Sequence, residues 1–323
     1  MAQIFSTHAL HPDVTARLMV AGDYRVASQP TGAAFLAEGL GADVLIVRAP
    51  IPAAYFAQAK GLRAAVRHGA GLDMIPLQAA TDAGVLVANV PGANASTVAE
   101  HVIFAAIGLL RQFRAMEAAL RGTGWNAGRA FADLGGDLAG RRLGLLGFGN
   151  IACALHRMAQ GFEMQVAATT RRPDTLPLGV TALDLDELAA TSDVLVLCCP
   201  LTDQTRGAIN AARIAMMKPG AVLINVARGP IVDTAALIAA LQARRIAGAA
   251  LDVFDSQPLP ATSPLWGLDN VILTPHMAGI TADSMLRMGN TATDEVLRIL
   301  QGNLPVNFCN PAVEAAYRAR FPA

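Results

Sequence analysis

The chain has 323 residues, 53% of them hydrophobic and 15% charged, with 25 Lys+Arg against 25 Asp+Glu. Sparse, balanced charge excludes the basic field that nucleic acid needs and leaves a small molecule as the expected partner. Single cores stop growing at roughly 250–300 residues, so the length predicts two domains.

The opening stretch MAQIFSTHALHPDV carries two histidines and an aspartate, where a secretory signal needs a basic start and an unbroken apolar core. The longest apolar runs, such as VIFAAIGLL (102–110), reach about half of the roughly 20 residues that cross a bilayer. A cytoplasmic protein with no membrane partner is expected. In the first third, ADVLIVRAP (42–50), LRAAVRHGAG (62–71) and GVLVANVPG (84–92) read as strands that end in loops. A long helix is predicted from Thr97 to Leu120, with Ser96 or Thr97 as its N-cap.

A second series of strands follows: LGLLG (143–147), QVAATT (165–170), DVLVLCCP (193–200), AVLINVAR (221–228), GAALDVF (248–254) and NVILTP (270–275). A second long helix is predicted over Ala282–Leu300, stopped at Gly302, and its tail is expected to return to the first lobe. Strands alternating with Ala-rich helical stretches predict βαβ units and parallel sheets. The four cysteines, Cys153, Cys198, Cys199 and Cys309, match no metal or disulfide spacing and are expected to be buried free thiols; no metal is implied.

GFGNIA (147–152) places Gly147 and Gly149 directly after an apolar strand, with Ala152 at the third position of the dinucleotide-binding fingerprint. Gly147 permits a tight turn, Gly149 lets a pyrophosphate approach the backbone, and the amides of Asn150 and Ile151 open the helix whose positive end favours the anion. The next strand ends Thr170-Arg171-Arg172, with no acidic residue for a ribose hydroxyl and two guanidinium groups for a 2′-phosphate. NADP(H) is therefore the expected cofactor, with NAD(H) possible.

Ligands of open parallel sheets bind beyond the carboxyl ends of the strands, where Arg228, Asp252, Gln257 and His276 fall. Arg228 could hold a carboxylate or polarise a carbonyl, and His276 is suited to proton exchange near neutral pH. His8, His11, His68, His101 and His156 lack that context and read as surface or structural residues.

HGAGLDMI (68–75), NVPGANASTVAEH (89–101), GRRLGLLGFGNIA (140–152), PLTDQTRGAIN (200–210), INVARGPIVD (224–233), ALDVF (250–254) and TPHMAG (274–279) resemble, in order, the D-isomer-specific 2-hydroxyacid dehydrogenase family, which includes hydroxypyruvate and glyoxylate reductases and phosphoglycerate dehydrogenase. The resemblance implies an α/β fold of two Rossmann-like, doubly wound parallel-sheet domains with a cleft between them. Residues 1–98 plus 286–323 would form the substrate-binding domain and 99–285 the dinucleotide-binding domain. It further implies reduction of a small 2-oxo acid, such as hydroxypyruvate or glyoxylate, to the D-2-hydroxy acid, and a homodimer built through the helix after Thr97. Arg228 would bind the substrate carboxylate and carbonyl, and His276 would protonate the carbonyl oxygen. The amides of the Gly69-Ala70-Gly71 loop, Ala70 and Gly71 among them, would hold the carboxylate, with Arg48 near the distal end. Pro200, Thr205, Val226, Ala227, Asp252, His276, Ala278 and Gly279 would line the cofactor.

One departure stands out. Where the family carries a pattern close to DVFEPEP, this chain reads DVFDSQP, so Gln257 takes the place of the catalytic carboxylate and Asp255 that of the first acid. A neutral amide can orient an imidazole without raising its pKa, so His276 is expected to titrate near its ordinary value of about 6.5 and carbonyl reduction to fall above that pH. Two alternatives share these residues: a hydride transfer like that of formate dehydrogenases, which use a Gln-His pair, and a cofactor-sensing regulator with little turnover.

Overall fold

The computed structural model describes residues 1–322. They divide into two compact units, Ala95–Gly279 and a unit made of Met1–Asn94 with the chain from Ile280 onward. The units carry separate parallel sheets.

The first sheet has five strands: β1 (Gln3–Ser6), β2 (Asp23–Val26), β3 (Val44–Val47), β4 (Ala64–Arg67) and β5 (Leu86–Ala88), in the order β2-β1-β3-β4-β5. β3 and β5 are buried along their whole length, the pattern of strands covered by helices on both faces. After β2 the chain crosses back over β1 to lay down β3, so the crevice for a ligand opens between the loops after β1 and β3. The helix Ala282–Leu300 begins with a reciprocal Thr281–Ser284 capping box and packs its apolar stripe on this sheet. The tail then closes the β5 edge: Asn310 accepts from the Val87 amide at 2.8 Å and donates to the Val85 carbonyl at 3.0 Å.

The second sheet has seven strands: β6 (Arg142–Leu146), β7 (Gln165–Thr169), β8 (Val180–Ala182), β9 (Val194–Leu197), β10 (Val222–Asn225), β11 (Gly248–Leu251) and β12 (Val271–Leu273), in the order β12-β11-β10-β9-β6-β7-β8. β9, β10 and β11 are wholly buried at its centre. The chain builds outward from β6 through β8, then restarts on the other side with β9, so the switch point lies between the loops after β6 and β9.

Three expectations need correction. The helix predicted over 97–120 is two helices, Ala95–Leu110 and Phe113–Thr123. The Leu110 carbonyl accepts from the distant Gly136 amide at 3.0 Å, and Gln112 turns left-handed at φ +50°, a long-range stop that local periodicity does not contain. Ser96 and Thr97 consequently lie inside the first helix rather than capping it. Cys153 is exposed, because it falls on the outer face of the helix Asn150–Gly161. Among the described residues no helix is long and apolar enough to cross a membrane.

Candidate active site

Gly147 follows β6 at φ +96°, and a Cβ there would lie 2.8 Å from the Cβ of Cys199 in the loop after β9. Glycine thus serves both the turn and the close approach of the two switch-point loops. Gly149 stands at the N-cap of the helix Asn150–Gly161 with no side-chain cap, and no atom lies within 4 Å of where its Cβ would be. Asn150 and Ile151 therefore open a helix with uncapped amides beneath free space, which fits the pyrophosphate of a dinucleotide. Ala152 is fully buried against the sheet. Beyond β7, Thr170 is half-buried and accepts weakly from the Arg172 amide at 3.3 Å, while Arg171 and Arg172 are exposed and in no ion pair among the described residues. In the loop after β9, the Thr205 hydroxyl donates to the Pro200 carbonyl at 2.8 Å, tying that loop to itself.

Arg228 leaves β10 in an extended conformation. Its backbone is set by Asn225, whose buried side chain accepts from the Ala227 amide at 3.0 Å and donates to the Arg228 carbonyl at 2.9 Å. The guanidinium donates to the Ala227 carbonyl at 2.6 Å. Val226 is held through its amide to the Leu197 carbonyl at 3.3 Å. A Cβ at Gly229 would sit 2.1 Å from the Phe254 carbonyl carbon, so glycine alone lets the arginine loop lie against the loop that carries Asp255 and Gln257.

Asp252 ends β11 almost fully buried, with both carboxylate oxygens engaged. Oδ1 accepts from the Thr274 hydroxyl at 2.6 Å and the Met277 amide at 2.8 Å, and Oδ2 accepts from the Ala278 amide at 3.0 Å. Its carbonyl accepts from the His276 amide at 2.8 Å. These four bonds clamp the loop Thr274–Ala278, which leads into Gly279, and hold His276 at φ +55°, a conformation a side-chain-bearing residue rarely adopts. The exposed imidazole pairs through Nδ1 with Gln257 Oε1 at 3.0 Å. Asp255 accepts from the Thr234 hydroxyl at 2.6 Å instead. Burial of the half-exposed His101 holds its pKa below the usual value, with the Asp252 charge opposing.

In the first unit, Arg67 shapes the loop after β4: it donates to the carbonyls of Val47 at 2.9 Å, His68 at 2.6 Å and Gly71 at 3.1 Å. The Ala70 carbonyl accepts from Asn89 at 2.7 Å and that of Gly69 from the Val90 amide at 3.1 Å. The carbonyls of Gly69, Ala70 and Gly71 are thus all engaged within the unit. Arg48 lies at the switch point after β3, its guanidinium donating to the Ala9 carbonyl at 2.7 Å. His68 is buried, and desolvation, helped by the Arg48 and Arg67 charges, pushes its pKa down to about 4. An unfolded histidine takes its proton first as pH falls, so this contribution to stability is whole above pH 6.5 and is lost towards pH 4. About 3 kcal/mol is at stake. Urea unfolding of the protein and of His68→Gln at pH 7 and pH 4 should show the variant losing less; equal losses would refute the assignment.

Residues 103–278 match the model of the D-isomer specific 2-hydroxyacid dehydrogenase NAD binding domain. The chain belongs to the D-isomer specific 2-hydroxyacid dehydrogenase family. It is 35% identical over 274 residues to a glyoxylate reductase of Korarchaeum cryptofilum, covering 84% of this chain and 82% of that one. It is 33% identical over 279 residues to a D-3-phosphoglycerate dehydrogenase of Archaeoglobus fulgidus, covering 84% of this chain but only 52% of the relative, so it spans about half of that protein's length. The NADPH-dependent glyoxylate/hydroxypyruvate reductase of Sinorhizobium meliloti superposes with a TM-score of 0.84 at 28% identity, over 97% of this chain and 99% of its own.

In this family member, the second unit brings together Arg228, Gln257 and His276 at the ends of neighbouring strands of one sheet. Sequence reading passed over Asn225, Gly229 and Thr274, which fix the Arg228 and His276 loops, and Thr234, which holds Asp255. It likewise missed Arg67 and Asn89 beneath the first-unit loop. An asparagine on the last residue of a buried strand, three before an arginine, was the one available signal, since a buried amide demands partners.

Proposed function

We propose that this dehydrogenase reduces a small 2-oxo acid, such as hydroxypyruvate or glyoxylate, to the D-2-hydroxy acid with NADPH. The observation that carries the reading is the Gln257–His276 pair beside the Arg228 loop, on the sheet whose glycine turn fits a dinucleotide. A bound nicotinamide supplies the hydride. Gly147, Gly149, Asn150 and Ile151 hold its pyrophosphate; Thr170, Arg171 and Arg172 take the 2′-phosphate; Pro200, Thr205, Val226, Ala227, Ala278 and Gly279 line the remainder. Arg228 binds the carboxylate and carbonyl, His276 delivers the proton, and Arg48 with the amides of Ala70 and Gly71 serves the substrate in the first unit. The test is oxidation of NADPH and NADH by the purified protein against a panel of 2-oxo acids, with formate tried against both oxidised cofactors. Turnover of formate alone would favour the second reading, hydride transfer without a proton, to which the Gln-His pair is also suited. Tight binding of cofactor without turnover would favour the sensor.

Replacing Arg171 and Arg172 by alanine should raise the NADPH KM about tenfold or more and leave that for NADH within about twofold, since each guanidinium–phosphate contact is worth about 1–2 kcal/mol at an exposed site. Equal effects on both cofactors would remove the basis for the preference. A carboxylate at 257 would stabilise the imidazolium, so Gln257→Glu should carry the alkaline fall of reduction about one pH unit upward. Superimposable pH profiles would show that the pair does not control the proton. We also propose a homodimer through the helix Ala95–Leu110 and its successor, supported by the exposed Phe104, Ile107, Phe113, Leu120, Trp125 and Leu134. Sedimentation as a monomer at micromolar concentration would refute it.

A further inference from the structure

We propose that the second unit carries a further ligand site, behind the Arg228 and Gln257 loops, which takes a small apolar amine in its protonated form and steadies the Gln257 loop when filled. Binding there is independent of the 2-oxo acid reading; only its effect on rate rests on that reading. A cavity of about 300 Å³ lies behind the loops that follow β10 and β11. That volume falls at the lower end of the ~300–1,000 Å³ usual for ligand sites, so the occupant is small. Its lining is mostly apolar: Val232, Leu237, Leu251, Val253 and Leu265 are buried, and half-buried Phe254 and Leu259 continue the wall. An apolar body is drawn in by the surface it removes from water.

The charge on the ligand follows from the polar part of the lining. Among the described residues Asp255 is the only charged residue that lines the cavity. Its Oδ2 accepts from the Thr234 hydroxyl at 2.6 Å, and Oδ1 has no partner among the described residues. Asp255 is exposed, which places it where the cavity meets solvent. An ionised carboxylate only accepts, so the complementary group is a cation with N–H to give. An alkylammonium or arylalkylammonium ion combines that group with an apolar body. A carboxylate of the same size would be repelled, and an alcohol would forgo the charge attraction. Because Asp255 is exposed, water screens the pair, and the preference for cation over alcohol is severalfold rather than a thousandfold.

The cavity touches both loops of the proposed chemistry. Gly229, next to Arg228, lines it, and so do Asp255 and Ser256, which lead into Gln257. The Gln257 loop is anchored at Asp255 by Thr234 and at Pro260, whose carbonyl accepts from the Trp266 indole at 2.9 Å and the Ser263 amide at 3.0 Å. A ligand seated between these anchors gives Phe254 and Leu259 new packing partners and Asp255 an ion pair, two residues before Gln257. The loop then moves less, and Gln257 stays on His276.

The experiment is calorimetric titration of the protein with benzylamine, benzyl alcohol and benzoate at pH 7. The expected result is benzylamine binding about fivefold more tightly than benzyl alcohol, and no binding of benzoate. Asp255→Asn keeps an acceptor for Thr234 but not the charge, and should bring the amine level with the alcohol. Thr262→Trp, a bulky side chain on the exposed rim, should abolish binding of both. Kinetics use N,N-dimethylbenzylamine, which cannot condense with an oxo acid; kcat for hydroxypyruvate should rise about twofold, half-maximally at that amine's calorimetric Kd. No binding of benzylamine, or binding that both substitutions leave unchanged, overturns the site while the oxo acid reading stands. Binding with kcat unaltered overturns the effect on the loop. Binding that meets these criteria in a protein that turns over no 2-oxo acid overturns the oxo acid reading and leaves the site standing.

Discussion

Arg228→Ala should lower kcat/KM for the preferred 2-oxo acid about a thousandfold, and Arg228→Lys should recover no more than about tenfold of that loss. The expected loss corresponds to about 4 kcal/mol of transition-state stabilisation, the range for a charge-assisted, two-pronged contact whose ligand oxygens are left unpaired. A lysine keeps the charge but not the fork. The chain invests several interactions in holding this backbone: Asn225 spans the turn with two hydrogen bonds, and Gly229 admits the Phe254 carbonyl where any side chain would collide. Such preorganisation matters only if the orientation of the side chain matters. Steady-state kinetics on both variants, with NADPH binding followed by fluorescence as a control, decide the point. A lysine variant within tenfold of the parent would mean that a point charge suffices.

What the sequence revealed, and what it withheld, follows the range of the interactions concerned. Strand ends were legible because β9, β10 and β11 are buried, almost wholly apolar runs, and Arg228, Asp252 and His276 follow the ends of β10, β11 and β12 within three residues. The glycine turn was legible because its backbone demands are local. The break at Gln112 was not, because its cause is an amide contributed from Gly136. Nor was the role of Asp255 legible. Its side chain is held by Thr234, 21 residues away in sequence on the helix Thr234–Gln242. Gln257 was placed correctly beside the histidine because the family pattern carries register, and register survives the exchange of an acid for an amide.

Asp252→Asn should reduce kcat about a hundredfold and leave the NADPH Kd within about threefold, with a loss of stability of about 2 kcal/mol. The carboxylate is an acceptor only, and it faces three donors: the Thr274 hydroxyl and the amides of Met277 and Ala278. Asparagine has one acceptor oxygen and one NH2 group, so whichever way it turns, an N–H must face a donor in a buried site. The His276 loop would then lose part of the clamp that keeps it at φ +55°, and relaxation towards commoner backbone angles would swing the imidazole off Gln257. A misdirected proton donor lowers kcat without weakening the cofactor. The family resemblance gives Asp252 a different role, direct contact with the cofactor, and that role makes the opposite forecast of a raised Kd. Chemical denaturation, NADPH titration and kcat on the one variant therefore separate a residue that binds the dinucleotide from one that aims the histidine, and the full engagement of both carboxylate oxygens by the loop favours the second.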